Sequence, residues 1–262
     1  MTEHPAYETV RPVLPFASVL LQDNAGPMTL DGTNTWLLGA PDASEVVVVD
    51  PGQADRRHLS VLRDAAPRVA LVLLTHRHDD HRQLAGEVRA STGAPVRAMD
   101  QALCAGAEPL RDGEVLAAAG IEIRVVASPG HTSDSASFIV GPEPAVLTGD
   151  TILGRGTTVV AHPDGDLGHY LASLRRLRDL GDIPALTGHG ADLPSVAAAA
   201  QYYLDHRAER LQQVRDALAV LGTEATARQI VEHVYADVEP ALWGAAELSV
   251  NAQLDYLRRT TE

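Results

Sequence analysis

A chain of 262 residues with 45% apolar content can bury a full core, as one large domain or one domain plus an appendage. Its formal net charge of −14 weighs against a polyanionic partner, because phosphate-backbone affinity comes from clustered cations. All 21 basic residues are arginines, and without lysine a Walker phosphate loop, a Schiff-base lysine and Ser/Lys acyl transfer are excluded.

No stretch approaches the roughly 18 apolar residues that span a membrane. Met1 to Pro15 lacks a basic segment followed by an apolar one, and Cys104 is the single cysteine. Together these predict a cytoplasmic protein, with Cys104 a small buried hydrophobe. In chain order, Val13 to Leu21 and Asn34 to Leu38 are predicted strands, with turns at Gly26-Pro27 and Asp31-Gly32. The run from Glu45 to Asp50 is a third strand, closed by Pro51-Gly52. Arg56 to Ala66 is helical, Val69 to Leu74 a buried strand, Gln83 to Ser91 a helix and Pro95 to Met99 a short strand. Glu114 to Leu116 and Ile121 to Val126 form a hairpin around Gly120. Strands at Ser137 to Val140 and Ala145 to Leu147, a helix at Asp166 to Leu180 and a strand at Ile183 to Leu186 complete the first part. This alternation predicts sheets covered by helices.

From Ser195 onward the pattern is helical. Leu211, Val214, Leu218 and Leu221 recur at helical spacing and Gly222 stops them. Thr226 to Tyr235 and Ala241 to Leu257 are two further predicted helices. The boundary falls near residues 190–206, giving a first domain over 1–200 and a helical one over 201–262.

The chemistry-bearing residues gather at predicted strand ends. The run Thr75-His76-Arg77-His78-Asp79-Asp80-His81 directly follows the Val69 strand. His76 and His78, two apart, leave the strand on the same side, with Asp80 and His81 close behind. Imidazole and carboxylate are ligands that zinc takes, at about 2.0–2.2 Å. The same residue types recur far along the chain, at Gly130-His131, Gly149-Asp150 and Gly188-His189, each just after a predicted strand. The preceding glycine suits a backbone that must turn tightly there. Strand ends are where α/β folds place their chemistry. A surface histidine or a turn aspartate explains any one of these positions, and fails to explain them together.

This pattern resembles the metallo-β-lactamase superfamily: His76-x-His78-x-Asp80-His81, then Pro129-Gly130-His131, Thr148-Gly149-Asp150 and Gly188-His189-Gly190 in the same order. Within it the chain is similar to the β-lactamase-like protein 2 group. The matching stretches are Gly32-Thr33-Asn34-Thr35-Trp36-Leu37, Pro129-Gly130-His131-Thr132, Gly149-Asp150-Thr151-Ile152, the run Gly154 to Thr158, and a helical extension opening on His206-Arg207. The resemblance implies an α/β (α+β) fold, an αββα sandwich with a two-metal site along one edge and a C-terminal helical, winged-helix-like extension. It implies His76, His78 and His131 as ligands of one zinc, Asp80, His81 and His189 as ligands of a second, and Asp150 as the bridge. Two Zn2+ per chain is the expected content, with Fe or Mn as alternatives for a His/Asp donor set. Cations about 3.5–4 Å apart would hold a hydroxide for attack on a carbonyl or phosphoryl centre. Asp80 would be the catalytic residue that orients the water or takes its proton, and Asp134, three residues after His131, either a partner for a ligand imidazole or a helix-cap or turn residue. The chain departs from the family at Arg82-Gln83-Leu84-Ala85-Gly86, where many relatives carry paired small residues. It departs again at Thr187-Gly188, where Pro-Gly is usual.

Two function classes follow. The first is a dinuclear zinc hydrolase acting on a small ester, thioester, lactone or amide. The second, implied by the same resemblance, is a metal-dependent endoribonuclease or phosphodiesterase acting on single-stranded RNA. Asp205 to Glu262 carries six arginines against ten carboxylates, the opposite of a nucleic-acid module. Arg77, Arg82 and Arg155 are the cations expected near the site mouth. The acidic balance favours a small-molecule substrate over nucleic acid, with no membrane partner. The helical extension then serves as a wall of the site or as a surface for association into an oligomer.

Overall fold

The computed structural model describes residues 6–236, 239 and 243–261. The first sheet holds β1 (Val10–Leu14), β2 (Ala17–Leu21), β3 (Asn34–Leu38), β4 (Val46–Val49), β5 (Val69–Leu73) and β6 (Val96–Arg97), side by side in chain order. The second holds β7 (Val115–Ala118), β8 (Ile121–Ala127), β9 (Ala136–Val140), β10 (Ala145–Gly149) and β11 (Ala185–Thr187), in the order β11-β10-β9-β8-β7. Both sheets are mixed: β4, β5 and β6 run parallel, as do β10 and β11, and the other pairs are antiparallel.

Side chains on a strand alternate between its faces, and here that alternation sorts the core into layers. Trp36 and Leu38, Val47 and Val49, Leu71 and Leu73 point between the sheets, where they meet Ile123, Val125, Phe138 and Leu147. Their neighbours Leu37, Val48, Val72 and Leu74 point outward. They lie under α1 (Arg56–Ala65) and α3 (Ala85–Thr92), packed against Leu62, Ala85 and Val88. Both faces of β4 and β5 are therefore dry, which is why their sequences are unbroken apolar runs. The outer face of the second sheet, at Val146 and Ala185, is covered by Tyr170 and Leu174 of α4 (Leu167–Arg178). Three more helices join that same cluster: α5 (Val196–Leu221), α6 (Ala227–Val234) and α7 (Trp243–Thr261). Their contributions include Tyr203, Val214, Ile230 and Val250. Among the described residues no helix is long and apolar enough to cross a membrane.

Several elements differ from the sequence expectation. The single strand expected over Val13 to Leu21 is a hairpin, β1 and β2, because the chain turns at Pro15-Phe16 and pairs Leu14 with Ala17. The helix expected over Gln83 to Ser91 is α3, shifted by one or two residues, and a separate short helix precedes it. A short α2 (Asp79–Arg82) comes first, the Leu84 amide then bonds the Gly52 carbonyl, and α3 ends at Gly93, whose φ is +76°. β11 lies one to two residues later than expected, at Ala185–Thr187. Ser195 caps α5 through its side chain, so this helix begins well before the Leu211 periodicity. Residue 200 lies inside α5, and a boundary at 200/201 runs through a continuous helix. The helix start expected at Ala241 lies outside the described residues.

Phe138 is fully buried between the sheets. Replacing it with alanine removes a whole aromatic ring from that layer and leaves a cavity among rigid strands. Phe138→Ala should cost about 3–5 kcal/mol of unfolding free energy, measured by chemical denaturation.

Candidate metal centre

β5 of the first sheet and β8, β10 and β11 of the second deliver their C-terminal ends to one rim. His76 and His78 follow β5, and Asp80 and His81 ride on α2. His131 follows β8, Asp150 follows β10 and His189 follows β11. Among the described residues these seven side chains form two groups, His76, His78, His131 and Asp150, and Asp80, His81 and His189. Within each group all ligand-type atoms lie within 4.8 Å of one another.

In the first group, His78 Nδ1 stands 3.0 Å from both His76 Nε2 and His131 Nε2. In the second, His81 Nε2 and His189 Nε2 are 3.2 Å apart, and Asp80 Oδ2 is 3.3 Å from His189 Nε2. Asp150 stands between the groups. Its Oδ2 is 3.6 Å from His131 Nε2 and 3.4 Å from His189 Nε2, and its Oδ1 is 3.4 Å from His81 Nε2. Asp150 Oδ1 is buried without a hydrogen-bond partner. Two nitrogens on one tetrahedral cation with bonds of about 2.0–2.1 Å sit roughly 3.3 Å apart, close to the spacings here. The donor set and the unpartnered carboxylate oxygen between its halves fit two divalent cations.

The outer ring nitrogens decide which atoms face inward. His131 Nδ1 donates to the Val159 carbonyl at 2.8 Å and His189 Nδ1 to the Gly32 carbonyl at 3.0 Å. A carbonyl only accepts, so each Nδ1 carries the proton and each Nε2 of the neutral ring presents its lone pair inward. His81 Nδ1 lies 2.9 Å from Asp50 Oδ2. The Thr75 hydroxyl donates to the same oxygen at 2.6 Å and therefore accepts from His76 Nδ1 at 2.9 Å. Asp50 thus anchors one imidazole of each group, and its other oxygen accepts the Thr75 amide at 2.8 Å. It does so from a left-handed backbone, φ 51°, a conformation that costs a non-glycine residue free energy and that the surrounding bonds impose.

Burial, with His81 nearby, pushes His76 well below the ordinary imidazole range, and burial with His131 pushes His78 down. Burial works against a charge on His81 too, but Asp150 and Asp50 outweigh it and raise this imidazole well above that range. His189 follows the same balance: burial lowers it, Asp150 and Asp80 win, and it is lifted to about 9. Burial would raise Asp150, yet His189 and His81 hold it well below the usual carboxylate range. Asp80 is lowered against its own burial, chiefly by the bond to His189. His76 and His78 are therefore kept neutral at neutral pH, while His81 and His189 favour protons that a cation would have to displace.

Asp50 escaped the sequence reading although it ends a strand as Asp150 does. Its signal was the β4 run closing on Asp50-Pro51-Gly52. The stretch Gly32 to Trp36 also has a role that a motif match does not state. Gly32 offers its carbonyl to His189, Asn34 Nδ2 donates to the Thr187 and Gly190 carbonyls, and Thr35 donates to the Asp50 carbonyl. Asp134, expected beside a ligand imidazole, instead accepts from Arg77 Nε at 3.0 Å. Arg77 also lies 3.4 Å from Asp164 and 3.6 Å from Asp100, turned away from the histidines on either side of it in sequence. Arg82 pairs with Asp79 and Arg155 with Asp31, so each cation expected at the mouth faces a carboxylate.

Residues 28–189, which contain the whole cluster, match the family model described as the metallo-beta-lactamase superfamily. The chain belongs to the metallo-beta-lactamase superfamily. It is a hydrolase of that superfamily whose His/Asp cluster suggests a dinuclear metal site. Residues 226–260 match a beta-lactamase associated winged helix domain. A beta-lactamase-like protein 2 homolog of Caenorhabditis elegans is 32% identical over 250 residues, 91% of this chain and 82% of the relative. An atrochrysone carboxyl ACP thioesterase of Aspergillus fumigatus is 32% identical over 237 residues, 82% of this chain and 72% of the relative. The crystal structure of a metallo-beta-lactamase family protein from Thermus thermophilus superposes with a TM-score of 0.79 at 26% identity, over 95% of each chain.

In this superfamily member, Gly130 places His131. Its φ is +137°, and a Cβ built there would lie 2.3 Å from Tyr170 Cα. Strain and overpacking together should make Gly130→Ala about 2–5 kcal/mol less stable by chemical denaturation, with no comparable cost for Gly86→Ala, which meets open space.

Proposed function

We propose that the protein is a two-zinc hydrolase that cleaves a small acyl substrate, a thioester first and an ester, lactone or amide of similar size next. His76, His78 and His131 would hold one cation, Asp80, His81 and His189 the other, and Asp150 both. The observation that supports this most is the position of Asp150, whose Oδ2 lies between His131 of one group and His189 of the other and whose Oδ1, facing His81, has no hydrogen-bond partner. When bound, the cation pair supplies Lewis acidity and an activated water at neutral pH. The cluster opens to solvent at His78 and Asp80, since the side chain of Asp80 is 24% exposed and those of the other carboxylate and the remaining imidazoles are nearly covered. Asp80, held ionised, accepts a hydrogen bond from the attacking water on that open side and orients it towards the acyl carbon. The thioesterase among the relatives supports the choice of a thioester. Pairing of Arg77, Arg82 and Arg155 with carboxylates leaves little free positive charge for a phosphate backbone, which counts against RNA.

The purified protein should contain two divalent ions per chain and hydrolyse an acyl thioester in a chelator-sensitive reaction. Asp150→Ala should lose both ions, and a single-stranded RNA oligomer should remain intact. Chelator-sensitive RNA cleavage lost in His78→Ala, without thioester hydrolysis, would overturn the substrate class; a protein that binds no added zinc would overturn the site.

The pH dependence of the two positions should differ. Metal binding requires neutral imidazoles, so a group whose pKa is raised loses metal affinity as pH falls below that pKa. With His189 at about 9, affinity for the second cation should climb from pH 7 towards 9. The first position, whose His76 and His78 are lowered, should be flat over the same range. Zinc titrations against a competing chelator at several pH values measure both.

A further inference from the structure

The segment from Asp150 to Val159 joins two parts of the cluster: it starts at the residue between the groups and ends at the carbonyl that fixes His131. Three buried polar side chains from the helical layer hold its backbone. Tyr170 of α4 donates its hydroxyl to the Thr151 carbonyl at 2.7 Å. The Tyr203 hydroxyl of α5 accepts the Leu153 amide at 2.9 Å. Arg207, also on α5, donates from Nη2 to the Thr158 carbonyl, one residue before Val159. Tyr170, Tyr203 and Arg207 are 0%, 2% and 4% exposed. Arg207 lies 5.3 Å from the centre of the Tyr170 ring, so the two also support each other.

Arg207 is an expensive residue to keep there. Among the described residues its Nε is buried without a hydrogen-bond partner. Burying a guanidinium is costly, and an apolar side chain would fill the same space between α4 and α5. The bond that distinguishes an arginine here is the one to Thr158. That bond restrains the peptide next to Val159, and the Val159 carbonyl sets both the proton position and the ring orientation of His131.

We infer that Arg207 is a positioning residue for the first metal position, acting through the Thr158-Val159 backbone on His131, with Tyr203 as its companion at the start of the same segment. The C-terminal helices are then part of the scaffold of the centre, although all seven ligand-type residues lie before them in the chain. This inference rests on the two-cation reading of the cluster.

Zinc titration of the metal-free full chain against a chromophoric chelator separates the two affinities. Arg207→Met should lower one of them about 10–100-fold, the size expected when a group that orients a ligand is lost. The affinity that falls should be the one His131→Ala abolishes, and the other should stay as in the unmodified protein. Arg228→Ala, which removes an exposed ion pair on α6 far from the segment, should change neither. If Arg207→Met fails to fold, Tyr203→Phe removes the acceptor of the Leu153 amide with little change in volume and should give the same one-position loss. Unchanged affinities, or an equal fall in both, would overturn the positioning role. An unmodified protein that binds no zinc would overturn the metal reading itself.

Discussion

Five imidazoles crowd one rim of this molecule, and everything around them serves to keep their lone pairs pointing at one another. Imidazoles brought to 3.0–3.2 Å of one another would turn apart if their outer nitrogens were free. Backbone carbonyls hold His131 and His189, while Asp50 holds His81 directly and His76 through Thr75. These acceptors lie just before β3, just after β4 and β5, and in the segment after β10, so the cluster exists only when both sheets and their loops are in place. A folded rim of this kind presents ligand-type side chains without reorganisation, which suits the proposed metal centre.

Asp50 shows how local strain and global packing are connected. Its backbone sits at a positive φ, and its amide, carbonyl and both carboxylate oxygens are all engaged with β3, β5 or α2. The dry layers on both sides of β4 and β5 hold that strained corner in place, since neither strand can shift without opening an apolar interface. The electrostatics follow from the same placement. Asp50 and Asp150 lie beside His81 and favour protons on it, whereas His76 and His78 are surrounded mainly by other imidazoles. His76 and His78 are therefore ready for a cation, whereas His81 and His189 would have to give up protons.

Much of this was legible in the sequence for local reasons. A buried strand shows as an apolar run, the tight exit shows as a glycine, and a ligand-type residue just after both marks the rim, as at Gly130-His131, Gly149-Asp150 and Gly188-His189. Sheets covered by helices follow from the alternation of strands and helices, and the resemblance carried by these motifs supplies the superfamily and its sandwich. What stayed hidden depends on partners remote in sequence. Asp50 and Thr35 lie 15 residues apart, and Arg207 and Thr158 lie 49 apart, and nothing in either stretch announces its partner. The β1–β2 hairpin was read as one strand because Pro15-Phe16 contains no glycine or asparagine. The onset of α5 was missed because an alanine-rich first turn has no apolar periodicity, and the Ser195 cap is visible only once the helix is known. Asp134 lies three residues after His131, which suggested an imidazole partner; the fold instead gives it Arg77.

Crystals grown with zinc, measured on both sides of the zinc absorption edge, test the central claim most directly. Two anomalous peaks about 3.5–4 Å apart are expected. One should be ligated by His76, His78 and His131, the other by Asp80, His81 and His189, and Asp150 should touch both. A single peak that leaves one group of side chains empty, or peaks only at surface histidines, would contradict it.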